Sequence, residues 1–501
     1  MDMKKFGFND VMLRKRQDLI DNGVNPYPYS FPNIQKIDEI LSVFETIDDE
    51  ELTENKVVTT GRIIARRKMG KSVFMDLKDQ TGKIQLYLQE SSLEEEWKTI
   101  MLTDIGDIIG VKGKLFISKK GEPSIHVSCF EILSKAVVSI PFGKETKEAT
   151  YYRSSDPETR YRERYISWLI DDQDFERMKS RSLIISAIRN HMERLGFLEV
   201  TTPTVEFVYG GAEARPFETS VWALGSKKVF LRISPELSLK KYIVAGFDKV
   251  FTICQNFRNE GIDISHNPEF SMMEWYESFT DYKKQMERFE NLVSDICVQI
   301  TGSTKINYQG EDIDFTTPWR RMTVLDAIEE FASIHAQKMS IEEIKLELDK
   351  HGIEYDDDIS WGVGVVELFE NLCENKLIQP IFIIDHPKEI SPLTKIKRGD
   401  TRLVERFEPY VYGMELGNAY SELTDPVDQV QRFVEQREKG KGGQEYDDHP
   451  LDADFIKAIG CGMPPTGGVG IGVDRLIMLL TDSRSIREII PFPMIKPIQN
   501  N

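Results

Sequence analysis

From Val57 to Leu133 the hydrophobic pattern of the chain has a period of two. Alternating stretches run Val57–Ala65, Ser72–Leu77, Lys83–Leu88, Ile108–Ile117 and Ser124–Leu133, broken by the turn-forming Asp79–Gly82 and Lys119–Glu122. A strand with that period buries one face only, so these stretches must close around a shared interior. Five short strands within about 80 residues predict a small Greek-key barrel.

Barrels of this size and strand number are of the oligonucleotide-binding (OB) type. The barrel uses a fraction of the 501 residues, and at roughly 100–200 residues per domain the chain holds about two to four. The expected division is 1–143 for N-terminal helices and the barrel, a linker over 144–170 beginning in the polar stretch Pro141–Arg160, and a second domain over 171–501. There, an amphipathic helix from Phe175 to Leu195 stops at Gly196, and strands and loops fill Val200–Tyr276. Helices are expected over Tyr282–Ile300 and Val324–Lys350, and strand character returns at Ile381–Ile384 and Phe407–Glu422. A helix from Pro426, a Gly/Lys-rich loop Lys439–Gly443 and a glycine-rich strand entering a helix near Asp474 complete the chain. Strands and helices do not alternate regularly, which predicts an α+β domain with an antiparallel sheet.

Composition narrows the function. The longest apolar runs, such as Ile381–Ile384, fall far short of the roughly 18–20 residues that span a bilayer, and the FGFND start is no signal peptide. A soluble, cytoplasmic protein is expected. Five widely spaced cysteines without C-x-x-C fit a reducing compartment and argue against disulfides or a Cys-based zinc site. With Lys+Arg 64 against Asp+Glu 83, the net charge of −19 disfavours non-specific nucleic-acid binding, so any RNA must meet a local basic patch. Gly70-Lys71-Ser72 lacks the first glycine of a phosphate-binding loop, Gly468-Val-Gly470-Ile-Gly472 lacks the spacing of a dinucleotide fingerprint, and Lys338-Met339-Ser340 stands without its companion HIGH motif.

Three clusters carry chemistry. In Phe251–Tyr276, two strands flank the loop Gly261–Pro268; Arg258 and Glu260 share a face of the first, and Phe270, Met272, Glu274 and Tyr276 a face of the second, with His266 and Asn267 at the loop tip. A salt-bridged hairpin with Phe270 in its core has the same pattern. In Arg406–Glu422, Glu408 and Glu415 flank a bend at Gly413, and Asn418, Tyr420 and Glu422 share a strand face. Two carboxylates beside a triphosphate suit Mg²⁺, and a glutamate beside tyrosine and asparagine suits an ammonium group. Solvated acidic strands fit that segment equally. In Gly467–Leu480, Gly468, Gly470 and Gly472 strip a strand face so that a flat ring or ribose can approach, and Arg475 opens the helix.

These segments resemble the three motifs of class II aminoacyl-tRNA synthetases: the helix with GFLEVTTP, FRNEG through HNPEF, and GIGVDR. With an N-terminal OB barrel the chain is similar to subclass IIb, the aspartyl, asparaginyl and lysyl enzymes. GGAEARPF, SPELSLK, FRNEGIDISHNPEFSMMEWY, MELGNAYSELTDP and PPTGGVGIGVDR resemble lysyl-tRNA synthetases nearly residue for residue, over about Lys56 to Pro497. The short N-terminus is similar to bacterial forms.

The resemblance implies that lysine and ATP form lysyl-adenylate and pyrophosphate, and that lysine then passes to the terminal ribose of tRNA(Lys). It implies that Arg258 bridges the α-phosphate and the lysine carboxylate, and that Phe270 and Arg475 sandwich the adenine. Glu260, His266, Asn267 and Gly472 complete the ATP site, and Glu408 and Glu415 carry Mg²⁺. Gly211 and Glu236 are expected at the lysine α-amino group, Asn418 near its carboxylate, and Tyr276, Tyr420 and Glu422 around its side-chain ammonium, with Glu274 nearby. On the barrel, the basic strip Arg62, Arg66, Arg67, Lys68 and Lys71 answers the acidic net charge. Phe74 is expected to stack on an anticodon base, with Gln85 and Glu131 reading base edges. An amphipathic barrel with Phe74 in its core is the plain alternative. The resemblance also implies a homodimer with the first motif at its interface. Other readings are an aspartyl- or asparaginyl-tRNA synthetase, a paralogue that modifies a translation factor, and a non-catalytic RNA-binding or signalling protein with this fold.

Overall fold

The computed structural model describes residues 3–44, 56–142, 144–145, 150–151, 157–212, 214–440 and 452–497. Two compact units divide the chain, Met1–Asp156 and Pro157–Asn501. Part of the stretch read as a linker lies outside the described residues, but 157–170 forms two helices, Pro157–Arg162 and Arg164–Ile170. Arg164 ties the second to its own unit by donating to the carbonyls of Ile490 and Pro491. Of the Gly/Lys-rich loop, residues 441–443 lie outside the described residues.

In the first unit β1 (Lys56–Met69), β2 (Ser72–Lys78), β3 (Lys83–Gln89), β4 (Ile108–Ile117) and β5 (Pro123–Ser134) close a barrel in the order β1-β2-β3-β5-β4. The period of two is what fills it: Val73, Met75 and Leu77 of β2 and Ile84, Leu86 and Leu88 of β3 are buried inside, while Phe74, Gln85 and Tyr87 alternate outward. The β2–β3 turn is held by Asp79, whose carboxylate accepts from the N–H groups of Thr81 and Gly82.

The second unit is built on a nine-stranded sheet. Its strands are β6 (Leu198–Glu199), β7 (Lys249–Phe257), β8 (Glu269–Ser278), β9 (Arg320–Thr323), β10 (Ile381–Ile384), β11 (Arg406–Val411), β12 (Gly417–Ser421) and β13 (Thr466–Gly472), with Met414–Glu415 paired off β11. The order is β9-β10-β11-β12-β13-β8-β7-β6, antiparallel from β10 to β7 with a parallel pair at each edge. Met273 and Trp275 of β8 and Val469 and Ile471 of β13 pack onto the helices Asp172–Arg194, Tyr282–Thr301 and Val473–Leu480, forming the main core. The alternate residues of the same strands face away from those helices, toward a cavity.

Two long segments are subdivided where the backbone turns left-handed. The helix expected over Val324–Lys350 ends at Ala332, with Ser333 at φ 60°, and restarts at Ile341 behind a Ser340–Glu343 capping box. The strand expected over Phe407–Glu422 divides into β11 and β12 at Tyr412 (φ 55°) and Gly413 (φ 66°). Among the described residues no helix is long and apolar enough to cross a membrane.

Candidate active site

The open sheet face lines a cavity of about 530 Å³. Strand alternation delivers Phe270, Met272, Glu274 and Tyr276 of β8, and Asn418 and Tyr420 of β12, to its wall. Gly468 and Gly470 of β13 form the floor between them. A Cβ added at Gly468 would lie 2.1 Å from Glu422 Oε1 and 2.4 Å from Tyr276 Cε1, so these two side chains occupy the volume the glycine vacates.

The deep end is acidic. Ser234 Oγ donates to Glu274 Oε1 at 2.8 Å and Tyr276 OH to Glu274 Oε2 at 3.3 Å. Burial, then the neighbouring Glu236, pushes the Glu274 carboxyl up to about 8 against those hydrogen bonds. Burial likewise raises Glu422 to about 8 against the pull of Lys240, with Glu236 and Glu274 adding to the rise. Lys240 Nζ lies 2.6 Å from Glu422 Oε2, but among the described residues neither Glu422 oxygen has a well-aligned hydrogen bond. Gly211, at φ 85°, sits against Glu236, where a Cβ would come within 3.0 Å of the Glu236 Cβ.

The wider end is mixed in charge. β7 ends at Phe257, so Arg258 and Glu260 stand in the loop beyond it rather than on a strand face; Arg258 N–H still donates to Pro268 O at 2.9 Å. The Arg258 guanidinium carbon lies 5.2 Å from the Phe270 ring centroid, and its buried Nε has no hydrogen-bond partner among the described residues. The loop tip is latched by Asp263, which accepts from the N–H groups of Ser265 and His266, both at 2.7 Å, and meets His266 Nδ1 at 2.8 Å. Against the effect of desolvation, these contacts hold Asp263 down to about 2. Asn267, in the cavity wall, donates to Glu269 O, and its buried Oδ1 has no partner among the described residues. Arg475 donates to Glu415 O and reaches Glu415 Oε2 at 3.7 Å; Gly472 N–H donates to Leu416 O beside it. Arg181 meets Asp474 Oδ1 at 2.5 Å, and Ser271 N–H donates to Asp474 Oδ2 at 2.7 Å, fixing the start of the helix that carries Arg475.

Arg406 was not singled out from the sequence, yet it organises this wall. It donates to Asn418 Oδ1, Ile390 O, Ser391 Oγ and Glu408. Although burial pushes Glu408 up, Arg406, His386 and a 2.9 Å hydrogen bond from Tyr410 OH hold it below the usual range. Burial and the Glu408 charge raise Glu415, and burial with both of these pushes Glu370 and Glu374 up to about 7. Among the described residues no group of three or more His, Cys, Asp and Glu side chains is gathered to hold a metal alone. Glu408 and Glu415 fit a Mg²⁺ that takes its remaining ligands from phosphate oxygens and water: Glu408 is a carboxylate kept charged by Arg406 and Tyr410, and its repulsion of Glu415 is what a divalent cation between them would relieve. Ser234, Lys240 and Asp263 were also missed; the one local signal was the i,i+4 spacing of Glu236 and Lys240.

The barrel carries a second candidate surface. Arg67 pairs with Phe74, and Phe74 with Tyr87, on the outer face; the Phe74 and Tyr87 rings lie 5.1 Å apart. Gln85 is paired with Asp76 on that face and accepts from Ser124 Oγ at 3.3 Å; Glu131 is exposed on β5. Phe74 is therefore outside the core. The structure separates the two arginines: Arg66 is paired with inward-facing Met75 and donates to Ile100 O at 3.2 Å, and Arg62 is likewise spent on Gly106 O.

Residues 156–496 match the model for class II tRNA synthetases (D, K and N), and residues 57–133 match that for the OB-fold nucleic acid binding domain. The lysine–tRNA ligase of Clostridium botulinum (strain Langeland) is 44% identical over 504 residues, spanning 98% of this chain and 97% of its own. That of Fervidobacterium nodosum is 43% identical over 491 residues (98% and 94%), and that of Methanoculleus marisnigri 43% over 498 residues (99% and 96%).

Proposed function

The chain belongs to the class II tRNA synthetases (D, K and N), and on that premise we propose that it is a lysine–tRNA ligase, activating L-lysine with ATP and transferring it to the end of tRNA(Lys). The observation that carries the choice of amino acid is the acidic end of the cavity, lined by Glu236, Glu274 and Tyr276, with Glu422 buried directly behind Tyr276 and Gly468. The three carboxyls Glu236, Glu274 and Glu422 outnumber the one ammonium built in beside them, Lys240, which suits a second ammonium at the end of a four-carbon chain. An aspartate or asparagine side chain would face them with an anion or an amide, leaving a buried charge uncompensated at a cost of several kcal/mol.

In the first step a lysine carboxylate oxygen attacks the α-phosphorus of ATP and the bond to pyrophosphate breaks. The carboxylate is already ionised near neutral pH, so no general base is required. Arg258 would bridge this phosphate and the lysine carboxylate, with Asn418 donating to that carboxylate. Phe270 and Arg475 would enclose the adenine, and Glu260, His266, Asn267 and Gly472 would hold the rest of the nucleotide; the unpartnered Asn267 Oδ1 supports such a ligand. Gly211 and Glu236 would receive the α-ammonium, and Glu274, Tyr276, Tyr420 and Glu422 the side-chain ammonium. Glu408 and Glu415 would hold Mg²⁺, which neutralises phosphate charge when bound. In the second step a hydroxyl of the tRNA's terminal ribose attacks the lysyl carbonyl carbon and AMP departs. Arg67, Phe74, Gln85 and Glu131 would read the anticodon, with Arg66 supporting the strand from behind.

The enzyme would act in the cytoplasm as a homodimer. The exposed Leu183 and Leu198 of the first motif, with Val205 and Phe207 just beyond it, support an apolar subunit contact. ATP–pyrophosphate exchange with each amino acid in turn tests the reading: strong exchange with lysine is expected, and exchange with aspartate but none with lysine would overturn it.

A further inference from the structure

A lysine is buried behind the acidic end of the cavity. Lys240, on the helix Glu236–Val244, is fully buried, and its Nζ lies 2.5 Å from Glu236 Oε1 and 2.6 Å from Glu422 Oε2. The ring of Phe455, from the helix Ala453–Gly460, closes the far side at 5.9 Å. The other titratable groups around this ammonium are Glu274 and Tyr276 of β8 and Tyr420 of β12, all lining the same cavity. Its hydrogen bond is directed to Glu236, whereas the Glu422 oxygens lack aligned donors. The internal ammonium thus acts on Glu422 by charge from behind the cavity wall that Tyr276 and Gly468 form.

The two carboxylates it touches are those assigned above to opposite ends of the amino acid, Glu236 to the α-ammonium and Glu422 to the side-chain ammonium. We propose that Lys240 is a positioning residue that fixes the separation of this pair of carboxylates and eases the loss of the Glu422 proton, so that the cavity selects a diammonium substrate of one length. This rests on the lysine–tRNA ligase reading. Burial alone would neutralise Lys240; Glu236 and Glu422 instead push it up to about 12, so it stays charged throughout the working range. Without it, Glu422 would be a buried carboxyl facing Glu236 and Glu274 with nothing to offset them, and it would hold its proton to a still higher pH.

The test is ATP–pyrophosphate exchange by the full chain and its Lys240→Met variant. Removing one member of a buried charge pair should raise the lysine KM by about 30-fold or more, with the ATP KM changed less than about twofold and kcat at saturating lysine largely kept. The pH at which lysine KM reaches its minimum should move upward in the variant. Lys240→Ala, assayed with propylammonium or with neutral 1-propanol, separates charge from volume: rescue of the lysine KM by the amine alone is expected. Equal rescue by the alcohol, or an unchanged lysine KM in Lys240→Met, would overturn the proposal while leaving the ligase reading intact. Absence of lysine-dependent exchange in the unaltered chain would sink that reading and this inference with it.

Discussion

Arg406 Nε donates a 3.0 Å hydrogen bond to Asn418 Oδ1. A guanidinium only donates, so the contact assigns the amide orientation: the oxygen is committed to Arg406, and the nitrogen is the group Asn418 offers to an anion in the cavity. Asn418→Asp replaces that donor by a carboxylate facing the lysine carboxylate. The lysine KM should rise by about 10- to 100-fold, the scale of a lost hydrogen bond to a charged group, with the ATP KM nearly constant in exchange assays.

Arg258→Lys keeps the charge but loses the planar fork that two anions can share. Exchange should fall by about 10²- to 10³-fold, as when a transition-state donor is removed, while the melting temperature stays near that of the unaltered protein. A fully active variant would exclude the bridging role.

Glu274 and Glu422 both have carboxyls pushed up to about 8, whereas an unperturbed lysine side chain holds its proton to about 10.4. Binding therefore favours carboxyls that have lost their protons beside an ammonium that has kept its own. Between about pH 6.5 and 8.5 the lysine kcat/KM should climb, and lysine binding should release protons, measurable by calorimetry in buffers of different ionisation enthalpy. A flat profile would count against the ionised pocket.

The same raised carboxyl affects stability with a definite sign. The unfolded chain releases the Glu274 proton near pH 4.3, but the folded chain keeps it until about 8, so the folded state binds more protons in that window and stability is lost as pH rises. Glu274→Gln should accordingly raise the melting temperature more at pH 8 than at pH 5, while weakening lysine binding. Equal shifts at both pH values would argue that Glu274 is not desolvated.

Phe74 stands on the outer barrel face beside Tyr87 and opposite Arg67. Phe74→Ala should raise the KM for tRNA(Lys) by the equivalent of about 1–3 kcal/mol, with the loss confined to tRNA-dependent steps. Equal losses in amino-acid activation would point to damaged folding instead.

Much of this was legible in the sequence because strand alternation is a local rule. The face of β8 carrying Phe270, Met272, Glu274 and Tyr276 follows from counting by two, and so does the barrel interior of Val73, Met75 and Leu77. Arg406 and Ser234 were not legible because their roles depend on side chains brought together only by the fold: Ile390 and Asn418 for the first, Glu274 for the second. That Arg66 and Arg67 point to opposite sides of β1 has a simpler reason. Consecutive strand residues face opposite ways, so a run of basic residues in sequence is not a basic strip in space.

Gly468 gives the deep pocket a built-in gauge. The space a methyl group would take there is already filled by the Glu422 carboxylate and the edge of the Tyr276 ring, leaving no slack to retract either one. How far an amino acid can reach is thus measured by a missing carbon atom, and an evolutionary path to shorter substrates could begin by restoring it.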